Sequence, residues 1–354
     1  MEKDKKQIEK FSELRPLRME DNSGIHIILS SDTNYEPHLW VTISSIIDTA
    51  KSKSNYYIYI LDGGIKNKDA FYSLISKDKR FHIQFIDMSN QFLTSFESRH
   101  DSKAAYYRLS IFKLFKDFEK VIYIDADSYV LSDIAELYDL NIGNKQIAAV
   151  KDSISYEIPW REKHISYPNY SGKALNYYKD YLGFSEEKFK NYFSSGVLLF
   201  NLQNINLNAK QKKLEELLKN DYYSHDQDIL NLLFSENETY LLGREWNYFN
   251  SGPVLKEEDF ALEEERDNYL KGKCKPKIVS YVLKPWLKEN INAPYADLYW
   301  EKLKASPYYS QVKEYSERNT KLNRFMKMSM KKKVEFLTSR EAIEKYKRVL
   351  RLEK

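Results

Sequence analysis

The sequence predicts an α/β protein whose core is a mostly parallel mixed sheet flanked by helices. Three observations carry that expectation. Short apolar runs alternate with stretches of helical periodicity through the first half of the chain. The runs stop at Asp, Asn, Ser and Gly, the residues of tight turns. Carboxylates stand at two of those stops, Asp32 and the pair Asp125 and Asp127, where open α/β sheets bind their ligands.

Residues 1–24 read as a polar leader. Residues 25–29 form an apolar strand that ends in the turn chemistry of Ser30-Ser31-Asp32-Thr33-Asn34. Beyond Pro37, Leu39, Trp40, Ile43, Ile46 and Ile47 recur at helical spacing. Residues 56–61 are a second strand, stopped by Asp62-Gly63-Gly64, then 67–77 a helix and 82–86 a third strand. A helix over 104–115 precedes the buried run 121–124, which leads into Asp125-Ala126-Asp127. After residue 150 a Tyr-rich stretch has no assignable period. Order returns with a strand at 195–200, helices near 208–219 and 226–234, and the apolar run 278–282 before Lys284-Pro285-Trp286. The expected layout is a main domain over 25–300 and a helical, basic C-terminal segment over 301–354.

At 354 residues the chain is long enough for one large α/β domain and an appendage. A single cysteine, Cys274, forms neither an internal disulfide nor a thiolate cluster, which fits a reducing cytoplasm. The first 21 residues lack the apolar stretch of a signal peptide, and no run approaches the roughly 18 apolar residues of a membrane span. Residues 321–354 carry 12 Lys/Arg against 4 Asp/Glu, a net of +8, which leaves 44 basic against 48 acidic elsewhere. A nucleic-acid-binding protein carries its positive charge on the folded domain, so no nucleic acid partner is expected. In the tail, Leu322, Phe325, Met326, Met330, Val334 and Leu337 recur at helical spacing, with Arg324, Lys327, Lys331 and Lys332 largely opposite. Such a helix suits an anionic membrane surface, here the inner face, or packs on the domain with a solvated side.

Two carboxylates two residues apart at a strand end project to one side, and their hard oxygens suit Mg2+ or Mn2+ shared with substrate phosphates. A solvated acidic turn is the bland alternative. His225-Asp226-Gln227-Asp228 opens an apolar helix, where an aspartate also serves as a cap. Ser194 and Ser195 precede Gly196 and a buried strand. Lys284, after its apolar run, either meets a diphosphate or stands as a surface charge beside a packed tryptophan.

The order of these pieces is more specific than any one of them. SSDTNY after the first strand, AAYYRL, DAD, YFSSGVLLFNL, HDQDILNLLF and KPW together resemble glycosyltransferase family 8 over residues 25–286. That family contains lipopolysaccharide galactosyltransferases and glucosyltransferases, and glycogenin. The resemblance implies a GT-A (Rossmann-like) fold and retaining transfer of glucose or galactose from a UDP-sugar to a glycan or glycolipid acceptor, such as lipopolysaccharide. It implies Mn2+, or Mg2+, at Asp125 and Asp127. It places Ser30, Asp32, Asn34 and Tyr35 in the donor-binding loop, with Asp32 and Asn34 at the uridine and Tyr35 near the uracil. Arg108, Ser194, Ser195, Asp226 and Gln227 would meet the donor sugar and Lys284 the diphosphate. Gln227, backed by Asp226, is the catalytic candidate on the face opposite the leaving group.

Two positions depart from the family pattern. Its closing loop reads His-x-x-Gly-x-x-Lys-Pro-Trp, with the histidine a third metal ligand; here Ile278 and Tyr281 occupy those places, or the loop is shorter. A common sugar-pocket asparagine is Ser194. A catalytically degenerate family member that binds a sugar nucleotide or glycan without turnover is the alternative. A haloacid-dehalogenase-type phosphatase also places Asp-x-Asp after a strand, but near the first strand and continuing to Thr or Val where this chain has Tyr129.

Overall fold

The computed structural model describes residues 14–19, 21, 23–92, 103–155, 158, 161–162, 167, 170, 172–251 and 275–319. In chain order its principal elements are β1 (Ile25–Asp32), α1 (Glu36–Thr49), β2 (Tyr56–Gly63), α2 (Lys68–Ile75), β3 (Phe81–Asp87), β4 (Lys120–Ile124), β5 (Ser128–Val130) and β6 (Ile147–Lys151). They continue with β7 (Phe193–Asn201), α3 (Leu207–Leu217), α4 (His225–Leu233), β8 (Thr239–Leu242), β9 (Tyr248–Phe249), β10 (Ile278–Ser280), α5 (Ala296–Lys304) and α6 (Tyr309–Arg318).

Seven strands form one sheet in the order β3-β2-β1-β4-β7-β6-β8. Only β7 runs against its neighbours, antiparallel to both β4 and β6, while the other pairings are parallel. The result is the mostly parallel mixed sheet the sequence predicts. Helices cover both faces, which is why β1 and β7 are buried along almost their whole length. The two-residue period sends Ile28, Tyr123 and Leu198 to one core and Ile27, Leu29, Ile122 and Leu199 to the other. Each such fully buried aliphatic side chain contributes about 1.5–3 kcal/mol.

The helices begin where their sequences permit. Pro37 stands in the first turn of α1, where its missing N–H costs no hydrogen bond. Asn67 caps α2 by accepting from the Ala70 N–H, and Asn206 caps α3 from the Ala209 N–H. The expected helix over 104–115 is present over 104–114, as two α turns, Ala104–Tyr107 and Ile111–Leu114, joined without a break by a 3-10 turn at Arg108–Ser110. Arg108 bends its Nε back to Ala105 O at 2.9 Å and sends its other donors to a different part of the molecule. The described part of the Tyr-rich stretch holds a single π-helical turn, Tyr177–Tyr181, which explains why no 3.6-residue period appears there.

A second sheet, β5-β10-β9, brings the chain's closing segment across the end of β4. Helix α5 runs across residue 300, and its Tyr299 and Leu303 join Tyr308 and Val312 in the core beside α1. Residues 1–13, Cys274 and the basic stretch 321–354 lie outside the described residues. Among the described residues no helix is long and apolar enough to cross a membrane.

Candidate active site

The ends of β1 and β4, the start of β7, the first turn of α4 and the segment after β10 surround a cavity of about 550 Å3. The turn after β4 forms its floor. The Asp125 N–H donates to Gly196 O at 2.9 Å, and Asp127 O accepts the Tyr281 N–H at 3.0 Å. Helix α1 holds the same turn from behind. Its Thr42 hydroxyl lies 2.7 Å from both Ala126 O and Ser128 O, and its Ser45 hydroxyl accepts the Val130 N–H at 2.9 Å.

Arg108 is the electrostatic centre of one wall. It is 4% exposed, with Nη2 2.8 Å from Asp125 and Nε 3.0 Å from Asp226, and Nη1 donates to Ser195 O. Its guanidinium lies over the Tyr123 ring at 4.3 Å, and the Tyr123 hydroxyl donates to Asp125 at 3.1 Å. Burial disfavours the Arg108 charge, but Asp125 and Asp226 outweigh it and hold the group firmly protonated. Burial pushes the Asp125 carboxyl up to about 6 against the opposing pull of Arg108.

On the opposite wall Lys284 pairs with Asp127. Burial works against this ammonium too, and Asp127, then Tyr35, more than compensate. Its loop is pinned to α1 through aromatic contacts. His38 stacks on Trp286 with ring centres 3.5 Å apart, and its Nδ1 is 2.6 Å from the Tyr299 hydroxyl.

The third wall is the start of α4. His225 takes a left-handed backbone (φ 49°), an uncommon conformation for a residue with a side chain. The turn brings Asp226 and Gln227 into the cavity lining. Gln227 is oriented at both ends of its amide: Oε1 accepts the Ser195 N–H at 3.0 Å, and Nε2 donates to Asp152 at 3.1 Å. Asp228 stays out of the cavity. Fully buried, it accepts from Tyr177 at 2.8 Å, Tyr192 at 2.6 Å and the Ser224 N–H at 2.9 Å.

Ser30, Tyr35, Arg108, Asp125, Asp127, Ser194, Ser195, Asp226, Gln227 and Lys284 therefore line one cavity. Asp32 and Asn34 do not; Asp32 turns its carboxylate onto the Asn34 and Tyr35 N–H groups at 2.8 and 3.1 Å. Sequence reasoning missed Tyr123 and Asp152 in the lining and Asn247 behind it. Asp152 carried a legible signal, since it directly follows β6 as Asp125 follows β4. Asn247 carried none. Its amide joins Ser194, to which it donates at 3.0 Å, to Ser280, from which it accepts.

Asp125 and Asp127 offer hard oxygens to a cation. Gly196 leaves room beside them, for a Cβ there would lie 3.0 Å from Asp125 Oδ2. Ile278 is fully buried opposite Val130, so the position of the family's histidine faces the core. Among the described residues no three His, Cys, Asp or Glu gather to hold a metal. The donor set thus fits a hard ion whose shell substrate phosphates complete, rather than an all-protein cage.

Comparison with known proteins follows the same outline. Against protein-family profiles, Glycosyl transferase family 8 matches residues 26–290. General stress protein A of Bacillus subtilis (strain 168) is 30% identical over 297 residues, covering 80% of this chain and 94% of that protein. The lipopolysaccharide 1,2-glucosyltransferase of Escherichia coli (strain K12) is 27% identical over 231 residues, 63% of this chain and 62% of that one. Among solved structures, the apo WbbM bifunctional glycosyltransferase superposes with a TM-score of 0.74 at 26% identity, over 85% of this chain and 53% of that longer one.

Proposed function

The chain belongs to glycosyltransferase family 8, and from that premise we propose that it moves glucose or galactose from a UDP-sugar to a glycan, retaining configuration at the anomeric carbon. One observation carries the reading: a carboxylate pair, a lysine and an oriented glutamine converge on a single cavity with Arg108 between them.

In the reaction the bond from the anomeric carbon to the diphosphate oxygen breaks, and the acceptor oxygen bonds to that carbon. UDP leaves with the bonding electrons and the proton of the acceptor hydroxyl. Lys284 exchanges Asp127 for the diphosphate and stabilises its growing negative charge. Mn2+ or Mg2+, when held by Asp125 and Asp127, supplies Lewis-acid stabilisation of the same oxygens. Gln227 presents its amide oxygen to the positive charge that develops on the sugar ring, and Ser195 and Asp152 fix its orientation. Arg108 holds Asp125 and Asp226 apart at their two stations and contributes a donor edge to the sugar pocket. Asp32 and Asn34 complete the nucleoside end through the loop that carries Tyr35.

The acceptor we favour is lipopolysaccharide or another cell-surface glycan, reached from the cytoplasm. Residues 321–354, with their net charge of +8, would rest on the anionic inner face of the membrane. The absence of a histidine at Ile278 favours one rival, a protein that binds the nucleotide sugar without turning it over.

A panel of UDP-sugars with Mn2+ and no acceptor tests the proposal, run on the full chain and on the chain cut after residue 320. Slow UDP release from UDP-glucose or UDP-galactose by both forms, with only the full chain sedimenting on anionic vesicles, is the expected result. Tight UDP binding with no release from any sugar would establish the binding-only rival. Equal sedimentation of both forms would remove the tail from the membrane.

A further inference from the structure

Between the end of β10 and Pro285 the chain must carry Lys284 to a defined place; buried Tyr281 is held at its start by the Asp127 carbonyl, which leaves Val282 and Leu283 to be placed. Strand pairing stops at Ser280, and Val282 is 49% exposed, so side-chain packing at that residue does not anchor the segment. The anchor comes from Asn250, just beyond β9 and 0% exposed. Its Nδ2 donates to Leu283 O at 2.9 Å, and its Oδ1 accepts the Leu283 N–H at 2.8 Å. One side-chain amide thus pairs with Leu283 as a residue on a neighbouring antiparallel strand would, exchanging a donor and an acceptor. The same Nδ2 lies 3.4 Å from Pro294 O, and the Asn250 N–H donates to Ser280 O at 3.1 Å. Asn250 therefore ties the end of β10, the residue before Lys284 and the turn into α5 to one point.

We propose that Asn250 is a positioning residue for the diphosphate, acting through Lys284. The inference rests on the assignment of Lys284 to the diphosphate made above. Lysine is a compact charge on a flexible four-carbon stem, so the side chain does not define where its charge sits. The backbone beneath it must, and on its N-terminal side that backbone is held by the Leu283–Asn250 pair. Beyond Lys284 the chain is held separately, with Lys284 O accepting the Leu287 N–H at 3.0 Å and Pro285 O accepting from Trp300 at 3.2 Å, so Asn250 sets the approach from the strand side. Replacing Asn250 by alanine leaves the Leu283 N–H and carbonyl without their partner. The Lys284 ammonium then loses the fixed approach that lets it meet phosphate oxygens, although every atom of Lys284 remains.

A double-mutant cycle read by calorimetry of UDP binding in the presence of Mn2+ separates this role from a merely structural one. Lys284→Ala should weaken UDP binding by roughly 10- to 100-fold, the worth of a hydrogen bond to a charged group. Asn250→Ala should weaken it by roughly tenfold in the native chain and by less than about twofold in the Lys284→Ala background, because the lysine it positions is already gone. The fall in melting temperature caused by Asn250→Ala should be similar in both backgrounds. If Asn250→Ala does not fold, Asn250→Asp carries the same cycle, since it keeps the acceptor for the Leu283 N–H and loses the donor. An equal loss of UDP affinity in both backgrounds, or no loss in either, overturns the proposal. Lys284→Ala binding UDP as tightly as the native chain overturns the diphosphate assignment itself, and the single variant alone reveals it.

Discussion

Asp125 and Asp127 are two residues apart, yet their surroundings give them different duties. Asp125 shares Arg108 with Asp226 and also receives the Tyr123 hydroxyl, so it belongs to a buried charge network. Asp127 meets only Lys284 among the cations described, across the cavity. Asp127→Ala should therefore remove a cation ligand and leave the Lys284 ammonium without the carboxylate that offsets its burial. Asp125→Ala should also remove a cation ligand and leave Arg108 buried with one carboxylate fewer, lowering the melting temperature. Loss of metal stabilisation is worth several kcal/mol of barrier, or on the order of a thousandfold in donor hydrolysis. Hydrolysis near the native rate in either variant at saturating Mn2+ would remove the pair from the reaction.

Helix α4 shows how one element is fixed so that two side chains can serve a cavity. At its start Asp228 turns inward to accept the Ser224 N–H and two tyrosine hydroxyls, while Asp226 turns to Arg108. At its end three lysines satisfy the last carbonyls: Lys213 donates to Leu232 O, Lys210 to Leu233 O and Lys188 to Phe234 O. Lys188 is 7% exposed, and burial pulls its ammonium down to about 8. Its charge is therefore easier to carry in the unfolded chain, where it titrates near 10.4. Between pH 8 and about 10 the unfolded state binds more protons than the folded one, so this group makes stability rise with pH and adds no slope below pH 8. Lys188→Met should flatten that rise, which amounts to a few kcal/mol at most. Denaturant midpoints of both chains at pH 7.5 and 9.5 check it. An identical gain in both would show that Lys188 is not the group responsible.

Across the whole molecule, what local pattern specifies was readable in the sequence and what distant pairing specifies was not. The β1 run, the Asp125-Ala126-Asp127 turn and the α4 face are written in consecutive residues, and they appear in the structure where the pattern put them. The reversal of β7 depends on its pairing with β4 and β6, and no residue within 193–201 records that direction. The same holds for Asn247 and Asn250, whose partners lie 33 to 53 residues away. Arg108 stands where the expected helix tightens to a 3-10 turn, and its side chain answers to Asp125, Ser195 and Asp226 in other elements. These long connections make a cavity out of separate strand ends, and the central claim is that the cavity holds the diphosphate of a UDP-sugar beside a cation. Crystals soaked with UDP and Mn2+, measured at the manganese absorption edge, test that claim most directly. The account predicts an anomalous peak bonded to Asp125 and Asp127, with the diphosphate against it and Lys284 moved from Asp127 onto phosphate oxygen. A nucleotide bound elsewhere, or a diphosphate in place with no metal peak and Lys284 still on Asp127, would contradict it.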